Sequence, residues 1–223
     1  MSIELRDKAL EIHQRLLRSY GMPQRSRMDA VSELVSTILS QNTNDLNRDR
    51  AYDELRRRLP TWEAVRDAPV EEVEEAIRVS GLWKHKAPRI QASLRQITEE
   101  RGALALDFLA DLPVPDAKAW LRRLPGVGPK TAAIILLFSL GRPAFPVDTH
   151  VHRVATRLGL VPKVSAEKAH ELLEELLPPE TYYACHINLI QHGRKVCKPR
   201  PLCRACELRD LCDYYGALDH SGA

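Results

Sequence analysis

The sequence predicts an all-α protein, and three observations carry that prediction. Apolar residues recur at three- and four-residue steps along nearly the whole chain, and no stretch keeps the two-residue alternation of a strand. Of 223 residues, 44% are apolar but only 5% are aromatic, and Leu and Ala carry most of the apolar weight, which suits packed helices more than sheets. Turn-forming residues punctuate the periodic segments at Pro60, Pro69, Gly81, Gly102, Pro113-Val114-Pro115, Gly141 to Pro146 and Pro178-Pro179.

The elements follow in order. Segment 3–20 sets Leu10, Ile12, Leu16, Leu17 and Tyr20 at mixed three- and four-residue steps and stops at Gly21-Met22-Pro23. Asp29 reads as the N-cap of a helix over 30–41. Further helices are predicted over 45–58, 61–68, 70–80, 86–100, 116–124 and 130–140, and, after Pro146, over 148–158, 165–177 and 181–195. The acidic runs Glu71-Glu72-Val73-Glu74-Glu75 and Glu171 to Glu175 read as solvated helix faces.

The chain is long enough for one domain or two small lobes. Net charge is only +3, so the chain as a whole is no polycation. The charge is uneven, however: 181–206 holds no Asp or Glu but contains Arg194, Lys195, Lys198, Arg200 and Arg204, a basic face suited to phosphate contacts. No N-terminal segment resembles a signal peptide, and the apolar run from Ala132 to Phe138 is too short to span a bilayer. The expectation is a cytoplasmic, nucleoid-associated protein with no membrane partner. In such a reducing compartment five cysteines read as ligands or buried thiols.

The chemistry concentrates in Leu124-Pro125-Gly126-Val127-Gly128-Pro129-Lys130-Thr131-Ala132 and in Asp148. Two glycines one residue apart, flanked by prolines, make a hairpin whose backbone N–H groups are not shielded by Cβ atoms. A helix beginning near Pro129 points its positive end into the same space, an arrangement that binds phosphate. Lys130 on the first turn then sits beside that phosphate, and Asp148 supplies a carboxylate. Farther on, Cys197-x5-Cys203-x2-Cys206-x5-Cys212 places four thiols in a segment too rich in Pro and Arg to build its own core. That spacing fits either zinc or a cubane iron–sulfur cluster. Cys185 reads as a packed core thiol.

The hairpin with its lysine, the segment Val147-Asp148-Thr149-His150-Val151-His152-Arg153-Val154 and the four-cysteine loop occur together and in this order. With Ile38-Leu39-Ser40-Gln41-Asn42-Thr43-Asn44-Asp45 and Ser80-Gly81-Leu82-Trp83-Lys84-His85-Lys86-Ala87, this combination resembles the endonuclease III family of helix–hairpin–helix (HhH-GPD) DNA glycosylases. The resemblance covers nearly the whole chain. It implies a two-lobed all-α fold: a six-helix lobe over 23–142 carrying the hairpin, and a second lobe formed by 1–22 and 143–223. It also implies one 4Fe-4S cluster held by Cys197, Cys203, Cys206 and Cys212, and a monomer whose partner is double-stranded DNA with a damaged base or abasic site.

The activity implied is base excision with AP lyase cleavage on oxidised pyrimidines. A base must leave the stack to be reached, and the vacated space needs a wedge. The resemblance gives Leu82 that role, with Asn42 and Gln41 entering from the other side and Lys84 and His85 beside Leu82. It assigns further DNA contacts to Gly126, Val127, Gly128, Thr131 and His150. Lys130 becomes a Schiff-base nucleophile, its neutral form favoured by the helix N-terminus and partial burial, and Asp148 its activator. Two departures from the family pattern stand out: five rather than six residues separate Cys197 from Cys203, and Asn42 replaces a gap-filling glutamine one methylene longer. Two alternatives remain. A monofunctional mismatch glycosylase typically lacks the lysine, and a non-catalytic DNA-binding paralogue would use hairpin and cluster only for docking.

Overall fold

The computed structural model describes residues 3–25 and 28–220, and among them the regular structure is helical throughout. The helices are α1 (Ile3–Tyr20), α2 (Ala30–Ser40), α3 (Asp45–Arg58), α4 (Trp62–Asp67), α5 (Val70–Ala76), α6 (Trp83–Arg101), α7 (Val114–Leu121), α8 (Pro129–Ile134), α9 (Thr149–Leu158), α10 (Ala166–Leu176), α11 (Tyr182–Lys195) and α12 (Asp213–His220). The chain divides into two compact units, Ser26–Arg142 and Met1–Arg25 with Pro143–Ala223.

In the unit Ser26–Arg142, the apolar stripe of α2 (Leu34, Val35, Ile38 and Leu39) is fully buried, as are Leu55 of α3 and Ile90, Leu94 and Ile97 of α6. The Asp29 carboxylate caps α2, its Oδ1 accepting from the amides of Val31 at 3.1 Å and Ser32 at 2.9 Å. The helix predicted over 70–80 breaks after Ala76 into a short 3₁₀ turn, Arg78–Ser80. That turn ends at Gly81, whose φ of +65° a side chain would resist. The next helix starts at Trp83 rather than residue 86, because the Leu82 carbonyl already accepts from the amides of His85 and Lys86. Beyond α8 the coil widens into a π turn over Ile135–Ser139, a variation that apolar periodicity does not reveal.

In the other unit, α11 packs against α1 and α9, burying Ile12, Leu16, Val151, Val154 and Leu189. The extended stretch that leads into α9 has its backbone groups satisfied by side chains. Phe145 N donates to Glu174 Oε1 (2.8 Å), while Nδ1 of His170 and of His186 donate to the carbonyls of Phe145 (2.8 Å) and Pro146 (2.9 Å). These bonds fix the approach to Asp148. The segment after α11, taken from spacing as an irregular cysteine loop, contains two 3₁₀ turns, Cys203–Ala205 and Arg209–Leu211, and leads into α12.

Candidate functional site

The hairpin between α7 and α8 has its carbonyls engaged by the protein, while the amides of its two glycines are not. Leu124 O accepts from Val127 N (3.1 Å), Pro125 O from Ser93 Oγ of α6 (3.0 Å), and Gly126 O from Gln41 Nε2 at the end of α2 (2.9 Å). Among the described residues, the amides of Gly126 and Gly128 have no acceptor. Gly126 sits at φ +83°, where a Cβ would also come within 3.2 Å of the Arg89 side chain. Gly128 is different: its backbone is extended, and a Cβ there would meet nothing within 4 Å. It precedes α8 with no side-chain cap, and Pro129 takes the first helical position.

Lys130, in the first turn of α8, is exposed, which corrects the expectation of partial burial: no described segment covers that face of the helix start. Val127 and Thr131 are buried (7% and 5% exposed), and the Val127 amide is already bonded to Leu124 O. Both residues therefore anchor the hairpin, and the open surface falls to Gly126, Gly128 and Lys130. Gln41 likewise serves as a brace for the hairpin, with its amide spent on Gly126 O.

Two of the three residues expected to enter the duplex, Asn42 and Leu82, share an unusual backbone. Asn42 (φ +53°) and Leu82 (φ +50°) are the non-glycine residues of positive φ among the described ones, and both are exposed, Leu82 at 51%. Left-handed backbone costs an L-residue roughly 1–2 kcal/mol, least for Asn. A leucine held there and kept in water is doubly unfavourable, the kind of strain that collects at functional sites. Lys84 and His85 are exposed on the first turn of α6, the Lys84 ammonium lying 5.1 Å from the Trp83 ring centre.

Sequence reasoning missed Lys86. It is 1% exposed, and its ammonium donates to the carbonyls of Leu39 (2.8 Å) and Ser80 (2.7 Å). Burial lowers its pKa to about 8. One signal was available: Lys86 lies in line with Ile90, Leu94 and Ile97, on the apolar stripe of α6.

In the second unit Asp148 caps α9, Oδ1 accepting from Val151 N at 2.7 Å, and its other oxygen has no partner among the described residues. His150 is half-buried, and its Nδ1 accepts from Arg153 Nη2 at 3.1 Å. The same guanidinium bonds Gly193 O and Cys197 O (both 3.0 Å), so His150 is part of the joint between α9 and the cysteine segment. Cys197, Cys203, Cys206 and Cys212 line one cavity. Around it Arg157 Nη1 reaches Cys197 Sγ (3.4 Å) and Lys198 O (2.6 Å), and His192 Nε2 lies 3.6 Å from Cys206 Sγ. Burial, with the neighbouring sulfurs adding to it, raises the thiols of Cys206 and Cys212. The loop is pinned to α1 by Arg15, which donates to Glu207 O (3.0 Å) and Asp210 Oδ1 (2.6 Å). Cys185 is a buried core thiol, pushed up to about 12 by its burial.

Residues 35–179 match the family model of HhH-GPD superfamily base excision DNA repair proteins. The chain belongs to that superfamily. Among its relatives, the chain is 35% identical to endonuclease III of Thermotoga maritima over 95% of this chain and 93% of that one. It is 34% identical to endonuclease III of Escherichia coli over 83% of this chain and 84% of that one. Among solved structures, a trapped endonuclease III–DNA covalent intermediate superposes with a TM-score of 0.80 at 27% identity, over 96% of this chain and 98% of that one. The helical class expected from periodicity is thus the HhH-GPD fold.

Proposed function

We propose that this HhH-GPD protein is a bifunctional DNA glycosylase and AP lyase that removes oxidised pyrimidines from double-stranded DNA. The observation that carries the proposal is Lys130, an exposed amine on the first turn of the helix that the hairpin opens, next to the free amides of Gly126 and Gly128. Those amides suit a phosphate and carry no base information, so the hairpin docks the backbone of any duplex. Docking leaves an amine beside the sugar. An amine alone would also serve phosphate docking; what disfavours the non-catalytic alternative is that Lys130 and Asp148 are both retained. A covalent endonuclease III–DNA intermediate in a relative of the same fold supports the lysine reading.

In the reaction, Lys130 Nζ attacks the sugar C1′ as the N-glycosidic bond breaks and its electron pair leaves with the base. Attack needs the free amine, and Asp148 receives its proton and stabilises positive charge developing on the sugar. Capping of α9 occupies one oxygen of Asp148 and leaves the other for this role. Sugar opening yields a Schiff base between Nζ and C1′. Loss of the acidified 2′ proton then expels the 3′ phosphate, and hydrolysis frees the lysine. Cys197, Cys203, Cys206 and Cys212 would hold a 4Fe-4S cluster, which supplies a structural cross-link to a segment with little core of its own. Four thiols lining one cavity suit that group.

Borohydride reduction tests the proposal. It should trap a covalent protein–DNA adduct on duplex bearing an oxidised pyrimidine or an abasic site. Lys130→Gln should abolish trapping and nicking while duplex affinity stays within about threefold, because the hairpin amides remain. Trapping by Lys130→Gln at the wild-type rate would assign the nucleophile to another amine.

A further inference from the structure

The carbonyl of Leu39 belongs to the last turn of α2, where helix carbonyls lack an intrahelical partner. The carbonyl of Ser80 belongs to the 3₁₀ turn that precedes Gly81 and Leu82. Three residues past the first lies Asn42, and two past the second lies Leu82, the two strained, exposed positions. One buried ammonium bonds both carbonyls. The Lys86 amide also bonds the Leu82 carbonyl (3.0 Å), so Lys86 grips the turn from both sides of Leu82. A cation at the negative end of α2 is favourable, and among the described residues it has no carboxylate partner, which is rare for a lysine this buried. A well-packed methionine would fill the same volume without charge. What an ammonium adds is a rigid bond between two separate turns.

We propose that Lys86 is a positioning residue that holds the Asn42 and Leu82 turns in one fixed relation, so that both side chains enter the duplex together when a base is extruded. This rests on the DNA-glycosylase reading above. Without the bond each turn would relax its left-handed residue independently, and the wedge would be lost before the fold is.

The test uses the full-length protein and a duplex with 2-aminopurine opposite a tetrahydrofuran abasic analogue, where fluorescence rises as the base unstacks. Lys86→Met should cut the unstacking signal and the single-turnover rate of base removal from duplex at least tenfold. Affinity for undamaged duplex, and β-elimination at an abasic site in a single strand, where no stack is opened, should stay within about twofold. A wild-type unstacking signal in Lys86→Met would overturn the proposal, and so would equal losses in all four measurements, which mark a merely structural lysine. The cycle of Asn42→Gly and Leu82→Ala, both at exposed positions, keeps the test open if Lys86→Met does not fold. If the two side chains act as one wedge, the double variant should lose little more than the worse single one; losses that multiply would overturn the proposal. Wild-type protein that unstacks 2-aminopurine but is never trapped by borohydride would remove the lyase reading and leave this one standing.

Discussion

Lys86 and Asp148 show how much one side chain settles in this molecule. An ammonium moved from water into a packed helix face loses hydration that two carbonyl bonds only partly replace, so its pKa falls to about 8. The folded state therefore releases this proton near pH 8, whereas the unfolded chain holds it until about pH 10.4. Between those values the unfolded state binds more protons, and stability rises with pH. Thermal melts from pH 7 to 10 should show the gap between wild type and Lys86→Met shifting in favour of wild type above pH 8. A gap independent of pH would mean that Lys86 is not desolvated. Asp148 allows a cleaner separation of fold from chemistry. Asn caps a helix about as well as Asp, while Ala forfeits about 1 kcal/mol. Asp148→Asn should melt like wild type yet remove bases far more slowly, with a smaller loss of cleavage at a pre-formed abasic site, where C1′ is already an aldehyde and only proton removal from Lys130 is still required. A shift in melting temperature as large as that of Asp148→Ala would show that the carboxylate matters only as a cap.

At the scale of an element, the hairpin joins two glycines with opposite demands. Gly126 needs its positive φ, so Gly126→Ala should cost about 1–2 kcal/mol, a drop of roughly 3–6 °C in a chain of this size. Gly128 occupies ordinary extended backbone with open space above it, so Gly128→Asp should leave the melting temperature nearly unchanged. It puts a negative charge where a phosphate docks, and affinity should fall at least tenfold for damaged and undamaged duplex alike. Unaltered binding of both duplexes, measured by fluorescence anisotropy, would show that the hairpin is not the docking element. The turn itself is legible in Pro-Gly-Val-Gly-Pro because such backbone depends on the residues that make it. Its bracing by Gln41 and Ser93 is not, because both come from other helices.

At the scale of the whole molecule, the cysteine segment is tied on by Arg15, Arg153 and Arg157, whose guanidinium groups satisfy carbonyls that no helix or strand satisfies. Purified anaerobically, the protein should be yellow-brown with about four irons per chain. Cys206→Ser should lose iron, and folded yield and duplex affinity with it. A colourless wild-type protein holding one zinc would replace the cluster by a single-ion site. Among the described residues, no helix is long and apolar enough to cross a membrane.

By itself the sequence determined the helical class, the glycine turn and the run of four cysteines, because periodicity, turn chemistry and spacing are local properties of the chain. Asp29 as the cap of α2 belongs with them, since a cap and its helix are neighbours. The ends of elements were less legible: α6 begins at Trp83 and the coil after α8 widens, both where neighbouring backbone competes for the same carbonyls. Only the tertiary structure decided that Thr131 is buried and Lys130 exposed, that Gln41 braces the hairpin, and that Lys86 joins two turns. Each of these depends on which group, distant in sequence, arrives to accept a hydrogen bond or to exclude water, and that is fixed only once the helices have packed.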